Sequence, residues 1–312
     1  MPGSLWNRLA LATPQPDPFC ALTAWQLSFR EALEPQRQML VRQCDDGLVQ
    51  FGLQRTANRS VLAPIERLWL FGCNVLGPSG PDLLEQIVRD DPTGASGTRR
   101  GIVVAGTDPA GPLMGALTTR LARGLDFSMV RQEVQCSASL EGGMDGYLSR
   151  RSANLRRNLR RASKRASELG FLFERHQPAS AEDADAVYRR MLAVERRSWK
   201  GLMGEGMGDT SFTLRFYGAM LRRLSVSRDG VDIGYIFGGM AGGIYRGQQF
   251  SFDDAYRAQS VGNLLQEAQI EWLCEQGAER YDMGPLLGPH MDYKHSWTEL
   301  RHAIEAWLIQ PA

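Results

Sequence analysis

The chain has 312 residues, of which 43% are hydrophobic and 23% are charged, and its 36 basic residues nearly balance 35 acidic ones. This length allows two ordinary domains with hydrophobic cores. The net charge of +1 excludes a whole-protein field that would draw the chain onto nucleic acid or an anionic membrane. An anion site must therefore come from local clustering of charge.

The five cysteines are scattered, odd in number and form no CxxC pair, which indicates free thiols in a reducing compartment. The N-terminus lacks the apolar core and cleavage site of a signal peptide. The apolar run LWLFGCNVLG is too short to span a bilayer. We expect a cytoplasmic protein that makes no contact with membranes.

The first 145 residues mix strands and helices, and they contain no catalytic motif. The predicted helices cover residues 19–34, 81–90 and 111–123, and the predicted strands are QMLVRQC, GLVQFGLQR, IERLWLFG and GIVVAG. The first two strands flank Asp45-Asp46-Gly47, which predicts a hairpin turn. The turn-rich stretch EGGMDGY then marks a boundary, so we expect one domain over 1–145 and a second over 146–312.

The second half opens with a predicted basic helix over residues 147–169. Leucines and alanines recur along one side at helical spacing, the other sides carry eight arginines and lysines, and Gly170 provides a stop. The cations are compensated either by solvent and acidic residues elsewhere or by an anionic partner. A carrier-protein helix, a nucleotide 3′-phosphate and an RNA backbone would each fit. Arg156 and Arg160 are the candidate contacts.

The remaining elements predict an α+β fold with a partly antiparallel sheet. FLFERHQ is a predicted strand, Ser180 caps a helix that runs to about Trp199, and GLMGEGMGD is a loop before a helix over 211–226. The final elements are the strands VDIGYIF and IYRGQQFSF around GGMAGG, a helix from Ser260 to Gly277, the strand AERYDMG, and a C-terminal strand or helix.

The start of the helix after Ser260 is a candidate phosphate site. The first turn of a helix presents backbone N–H groups without internal partners and carries partial positive charge. Gly262 has no Cβ to hinder a ligand. The alternative is a serine-capped helix without any ligand.

The ordered string SFDDAYRAQSVGNLLQ…GAERYDMG…YKHSW resembles the second half of the CelD-like acyltransferases of the GNAT type, which are related to the FemAB peptidyltransferases. The positions that match the family pattern are Asp253, Tyr256, Ser260, Gly262, Leu264, Leu265, Asp282, Gly284, Tyr293, Lys294 and Trp297. Val261 stands where the family usually has proline. The resemblance covers residues 146–300 well and the first half only in general shape.

This resemblance implies two GNAT-like α/β lobes, each a mixed, mostly antiparallel sheet flanked by helices. It also implies N-acylation of a small-molecule or peptide amine, with acyl-CoA or acyl-phosphopantetheine, free or on an acyl-carrier protein, as the donor. The donor's phosphates would lie on Gln259, Ser260, Val261, Gly262, Asn263 and Leu264, and its pantetheine between separated strands near Asp253 and Asp282.

The expected reaction needs a base, an oxyanion site and an acid. Glu195 and Asp253 are candidate bases, Tyr293 could protonate the leaving thiolate, and Lys294 could neutralise a phosphate or the oxyanion. The acceptor amine is expected near four aromatic residues, Trp199, Tyr235, Tyr245 and Tyr256. The loop GLMGEGMGD is either a lid over this acceptor or a plain linker.

Two other functions stay open at this point. One is a peptidyl transfer from aminoacyl-tRNA, as in FemAB proteins, although the near-neutral charge favours tRNA less. The other is a non-catalytic binding protein of a polysaccharide or natural-product biosynthesis pathway. No metal is expected, because the spacing of His290, Asp292 and His295 matches no metal motif.

Overall fold

The structure is a computed structural model, and it describes residues 2–55, 60–90, 100–121, 124–223, 228–231, 233–286 and 291–311. The helices are α1 (Pro2–Ala12), α2 (Pro18–Ala21), α3 (Thr23–Leu33), α4 (Gly80–Asp90), α5 (Pro112–Leu121), α6 (Gly143–Ser149), α7 (Ala153–Glu168), α8 (Ala181–Glu195), α9 (Trp199–Met203), α10 (Ser211–Arg223), α11 (Val261–Glu275) and α12 (Lys294–Trp297).

The strands occur singly or in runs between these helices. They are β1 (Met39–Cys44), β2 (Gly47–Arg55), β3 (Ser60–Ala63), β4 (Val75–Leu76), β5 (Arg100–Thr107), β6 (Leu125–Ser139), β7 (Glu174–His176), β8 (Arg228–Val231), β9 (Gly234–Ala241), β10 (Ile244–Phe252), β11 (Arg280–Pro285) and β12 (Leu300–Pro311). The mixture confirms the predicted α/β fold class.

The chain divides into two compact units, and the first is built from residues 1–135 and 302–312. Its sheet has the order β1-β2-β3-β5-β12, with β3 and β5 parallel and the other neighbours antiparallel. Strand β4 pairs with β2 beside this path. Apolar residues of β2 and β5 are buried, as are Leu84 and Ile87 on the inner face of α4.

The second unit covers residues 136–301. From the end of β6 its sheet follows the order β6-β11-β10-β9-β8-β7, in which β10 and β11 are parallel and β7 to β10 are antiparallel. Helices α6, α7 and α11 pack around a core that includes Tyr147, Leu159, Tyr245, Leu273 and Trp297. The predicted domain limits stay a prediction, but the stretch from Glu305 to Ile309, predicted in the second domain, pairs with β5 of the first unit.

Residues 65–72 do not form the predicted strand, and one buried side chain explains why. The Glu66 carboxylate accepts hydrogen bonds from the backbone N–H groups of residues 68–71. Because these four consecutive N–H groups all donate to one carboxylate, they are not available for pairing with a neighbouring strand. Leu70 lies in this turn with a φ of 60°, a left-handed backbone conformation that costs a leucine about 1–2 kcal/mol.

The predicted basic helix over 147–169 is two helices, because Ser152 begins a new one. The Ser152 hydroxyl accepts a hydrogen bond from the Leu155 N–H at 3.2 Å, which caps α7. The Arg156 guanidinium fixes the turn between the helices by donating to the carbonyls of Leu148 and Arg151. Gly170 ends the region with a φ of 69°, as predicted.

Three other predicted elements have different limits. The helix capped by Ser180 ends at Glu195, and Trp199 begins α9, which takes in the start of the predicted glycine-rich loop. The strand predicted for FLFERHQ is confined to Glu174–His176. The C-terminal region holds both a helix, α12, and a strand, β12. The hairpin at Asp45-Asp46 and the helix after Ser260 are as predicted.

Candidate functional site

The parallel strands β10 and β11 pair only at one end. Ile244–Arg246 pair with Arg280–Asp282, whereas β10 continues to Phe252. The register between β10 and β9 shifts between Gly247 and Gln249, and such a bulge bends its strand. The two strands therefore separate after Arg246 and Asp282, and a wedge opens between them.

Buried charges lie where the strands separate. Arg246 and Asp282 are both buried, with the Arg246 Nε 3.8 Å from the Asp282 Oδ1. The Lys294 Nζ is also buried and donates to the Pro285 carbonyl at 2.6 Å. Burial, reinforced by the charge of Arg246, lowers the pKa of Lys294 from 10.5 to about 8. Two cations thus face one carboxylate, which suits this place to stabilise developing negative charge.

A second group of polar side chains connects β9 and β10 with the helices that precede them. We call it the polar cluster, and its members are Glu195, Lys200, Tyr217, Tyr235 and Gln249. The Tyr235 hydroxyl donates to the Glu195 Oε1 at 2.8 Å, and the Met207 N–H donates to the Glu195 Oε2 at 2.6 Å. Both carboxylate oxygens of this buried residue are therefore satisfied.

Lys200 forms the other half of the polar cluster. Its Nζ donates to the Gln249 Oε1 and to the Phe250 carbonyl, both at 2.9 Å. The Gln249 amide in turn donates to the Tyr217 hydroxyl at 2.7 Å. Burial lowers the pKa of Lys200. Burial also raises the pKa of Tyr235, together with the negative charge of Glu195, so this hydroxyl keeps its proton at neutral pH.

Sequence reasoning missed Lys200, Tyr217, Gln249 and Arg246. Tyr217, Gln249 and Arg246 lie in elements that were predicted, and Lys200 lies in α9, which was not. A single lysine or glutamine has no distinctive spacing. One signal was present: Gln249 directly precedes the aromatic and alternating end of the strand, Phe250-Ser251-Phe252. A polar residue in such a strand needs a partner.

The turn before α11 begins at Asp253, whose carboxylate is already engaged. Its Oδ1 accepts from the Ala255 N–H at 3.0 Å and caps a 3-10 helix over Asp254–Gln259. Its Oδ2 accepts from the Arg197 Nε at 2.6 Å. These contacts give Asp253 an orienting role, and its predicted part as a base stays a prediction.

Helix α11 starts after Ser260, which has a φ of 59°. The Ser260 carbonyl accepts from the N–H groups of Asn263 and Leu264. Gln259, Ser260 and Asn263 are half-buried, whereas Val261 and Leu264 are buried in hydrophobic clusters. Any phosphate at this turn would therefore meet the backbone and the polar side chains.

Gly262 has a different explanation from the one that the sequence suggested. A Cβ at this position would lie 2.9 Å from the Phe252 ring and 3.0 Å from the Phe250 ring. The absence of a side chain is thus required by the packing of two phenylalanines, and close approach of a ligand is not needed to explain it.

Phe250 connects the turn with the other candidate residues. Its ring faces Gly262 and lies 6.0 Å from the ring of Tyr293, while its carbonyl accepts from Lys200. Tyr293 is 38% exposed, and desolvation of its hydroxyl raises its pKa. The structure thus brings together the α11 turn, Tyr293 and the polar cluster along β10.

Other predicted contacts lie elsewhere. Tyr245 is fully buried in the core against Tyr281, with ring centroids 5.5 Å apart, and its predicted contact with the acceptor stays a prediction. Tyr256 packs its ring 6.1 Å from Phe171. Trp199 is half-buried at the start of α9.

The two predicted arginines differ as well. Arg156 is held by the backbone carbonyls described above, whereas Arg160 is exposed.

Among the residues that the structure describes, no group of three or more histidine, cysteine, aspartate or glutamate side chains could hold a metal ion. His290 lies outside the described residues. A search of the described helices finds none with the length and apolar character needed to cross a bilayer.

Residues 153–295 match the family model of the acetyltransferase (GNAT) domain. FemX is similar in structure, with a TM-score of 0.68 and 10% identity over 97% of this chain and 95% of that one. A conserved protein of unknown function from Bacteroides thetaiotaomicron has a TM-score of 0.66 and 11% identity, over 99% and 96% of the two chains.

The L-PGS of Bacillus licheniformis has a TM-score of 0.57 and 14% identity, over 96% of this chain and 93% of its own. Comparison of the sequence with curated proteins gives no match. At these identities the structural likenesses show a common fold. Together with the family match, they confirm the predicted FemAB-related GNAT-superfamily fold.

Proposed function

We propose that this chain moves an acyl group from a thioester to an amine, because residues 153–295 match the family model of the acetyltransferase (GNAT) domain. The observation that carries the proposal is the wedge between β10 and β11. The end of β10 beyond its pairing with β11 packs against the start of α11 through Phe250, Phe252 and Gly262. A thioester donor needs a narrow slot for its pantetheine and a site for its phosphates. The wedge offers the slot, and the α11 turn offers backbone N–H groups.

The donor is acyl-CoA or an acyl-phosphopantetheine. Gln259–Leu264 would hold its phosphates, chiefly through the backbone N–H groups of Val261 and Gly262, because those of Ser260, Asn263 and Leu264 already donate to backbone carbonyls. A cation stands beside this turn, because the Arg165 Nη1 lies 3.4 Å from the Ala258 carbonyl. The pantetheine would follow β10 toward the buried charges of Arg246 and Lys294. The thioester carbonyl would then lie where negative charge is stabilised.

The reaction is attack of a neutral amine on the thioester carbonyl. Tyr235 takes a proton from the amine and passes its own to Glu195, which is already its hydrogen-bond acceptor. The tetrahedral oxyanion develops near Lys294. As the carbon–sulfur bond breaks, Tyr293 gives its proton to the thiolate. Because both Glu195 oxygens are satisfied, we expect proton transfer to contribute less than positioning does.

The acceptor is a small-molecule or peptide amine bound near Trp199 and the polar cluster.

We also propose a cytoplasmic location, since the five cysteines occur as free thiols.

A second candidate is peptidyl transfer from aminoacyl-tRNA. The observation that favours it is the exposed basic side of α7, where Arg157, Arg160, Arg161 and Lys164 reach solvent. Such cations suit a nucleic-acid backbone. Loss of activity after ribonuclease treatment of the donor would identify this reaction.

Calorimetric titration with acetyl-, octanoyl- and palmitoyl-CoA tests the proposal that the acyl donor is a thioester. We expect micromolar binding of at least one donor, about −8 kcal/mol, and release of CoA thiol when a panel of amines is added. Asn263→Glu places a carboxylate in the first turn of α11. Its negative charge interacts favourably with the helix dipole but repels a phosphate. It should weaken binding at least tenfold without lowering the melting temperature.

Gln276→Glu is the matched control, since it adds the same charge at the far end of α11. It should leave donor affinity unchanged. Absence of binding by all three thioesters, or equal affinity in wild type and Asn263→Glu, would refute a CoA site at this turn.

A further inference from the structure

Helix α7 presents cations to solvent in a row that leads to the α11 turn. Arg157, Arg161 and Arg165 follow each other at intervals of four, so they lie along one side of the helix. All three are exposed. At the end of the row Arg165 contacts the Ala258 carbonyl, two residues before Ser260. The row therefore ends at the proposed phosphate site.

Exposed apolar side chains continue this row. Leu169, which caps the end of α7, follows Arg165 by four residues and is 51% exposed, and Leu172, which follows the stop at Gly170, is 74% exposed. Between them and the core, Phe171 packs against Ala162, Ala166 and Leu264. The segment is thus anchored beside α11 while its leucines face solvent. We call Arg157, Arg161, Arg165, Leu169 and Leu172 the docking face.

We propose that the docking face binds a small acidic carrier protein whose phosphopantetheine arm delivers the acyl thioester to the wedge. This inference rests on the proposed thioester reaction and specifies the source of its donor. The arm of such a carrier ends in the same pantetheine as CoA and is joined to the protein through a phosphate. When that phosphate lies at the α11 turn, the carrier itself must lie against the surface next to the turn.

The chemistry of the docking face favours a protein partner over RNA. Cations alone would suffice for a phosphate backbone, whereas protein interfaces combine an apolar centre with a charged rim. Leu169 and Leu172 supply the apolar part, and the three arginines complement acidic side chains. The chain as a whole has a net charge of only +1, so positive charge is concentrated where the carrier would dock.

Fluorescence anisotropy of a labelled, octanoylated acidic acyl-carrier protein tests the proposal. Wild-type protein should bind it, and the Kd should rise when the salt concentration is raised. Arg161→Glu should raise the Kd at least tenfold, and Leu172→Gln about threefold. Arg189→Glu is the matched control, because Arg189 is an exposed arginine on a different helix, α8. The Kd of this variant for the carrier should stay within twofold of the wild-type value. Circular dichroism checks that all variants are folded.

Titration with octanoyl-CoA distinguishes failure of the docking face from failure of the proposed thioester reaction. If the wild type binds octanoyl-CoA but not the carrier, or if Arg161→Glu binds the carrier as wild type does, the docking face is refuted and the thioester reaction stands. If neither donor binds, both proposals fail. If tRNA displaces the carrier and binds more tightly in the absence of any thioester, the surface belongs to RNA and the carrier proposal is overturned.

Discussion

Lys294 carries its charge at a position from which water is largely excluded, and this has a cost for folding. Its pKa of about 8 in the folded protein lies below the ordinary lysine value of 10.5. Between these two pH values the unfolded chain binds more protons than the folded chain. The free energy of unfolding therefore rises with pH in this range. Below pH 8 the full cost of burying the ammonium is present.

Lys294→Met should consequently be more stable than the wild type at pH 7. The buried cation costs about 3 kcal/mol, of which the bond to the Pro285 carbonyl offsets about 1 kcal/mol. The stability difference between variant and wild type should shrink as the pH rises from 8 to 10.5. Urea denaturation at pH 7, 8, 9 and 10 measures this. A difference that is constant over the four pH values would show that Lys294 does not titrate in this range.

Tyr235 has both a structural and a catalytic part, and Tyr235→Phe separates them. Loss of the hydroxyl leaves the buried Glu195 Oε1 without this donor, which should cost about 1–3 kcal/mol of stability. Because the same hydroxyl relays the proton, kcat should fall about 100-fold. Urea denaturation and thiol release measure the two effects.

Tyr188→Phe is the control for Tyr235→Phe, since Tyr188 is also buried, lies on α8 and donates its hydroxyl proton to the Leu214 carbonyl. It should lose some stability but keep its kcat. Equal effects of the two variants on kcat would remove Tyr235 from the mechanism.

At the scale of elements, the segment after β3 shows how one buried side chain can prevent an apolar stretch from forming a strand. Each Glu66 oxygen accepts two backbone N–H groups, at distances of 2.6–3.4 Å. Residues 65–72 have the apolar composition of a strand, and hydropathy alone therefore predicts one. The glutamate was visible in the sequence, but its buried position was not.

Glu66→Gln should destabilise the first unit by about 4 kcal/mol. Burial raises the pKa of Glu66, so the expected loss does not depend on its charge. The glutamine amide group would leave two N–H donors that face this buried side chain without an acceptor, and each unsatisfied donor costs about 1–3 kcal/mol. Glu85→Gln is a suitable control, because the Arg89 side chain with which Glu85 pairs is largely exposed and such pairs contribute about 1 kcal/mol or less. Chemical denaturation of both variants measures the difference, and similar midpoints would contradict this account.

The sequence was most informative where local chemistry decides the structure. The hairpin at Asp45-Asp46, the cap at Ser180 and the stop at Gly170 each depend on neighbouring residues only. The wedge between β10 and β11 and a role for Lys294 could be expected from the family resemblance, but the charge of Arg246 and the burial of both cations where the strands separate could not. Their burial depends on how distant elements pack, and a periodic pattern carries no information about that.

At the scale of the whole molecule, the first unit takes its final strand from residues that follow the second unit. Strand β12 pairs with β5 from Glu305 to Ile309, and the Thr107 hydroxyl donates to the Glu305 carbonyl. The matched GNAT domain covers 153–295 and does not include these residues. Their removal should therefore damage the first unit and not the domain that carries the proposed site.

Deletion of residues 302–312 should leave one edge of β5 without its partner. Hydrogen exchange measured by mass spectrometry should then accelerate at least tenfold for the β5 amides that face β12. The amides of β9 in the second unit serve as the internal control and should exchange at the wild-type rate. Uniform acceleration in both strands would show that the deletion unfolds the whole chain.

The same pairing has a consequence for synthesis on the ribosome. Thr107 and its partner Glu305 are 198 residues apart, and translation at about 5–20 residues per second separates them by ~10–40 s. During that interval β5 leaves the ribosome with an open edge, which can pair with another nascent chain. Slower translation of the second unit should therefore reduce the yield of native protein, and a chaperone that covers exposed strands should restore it.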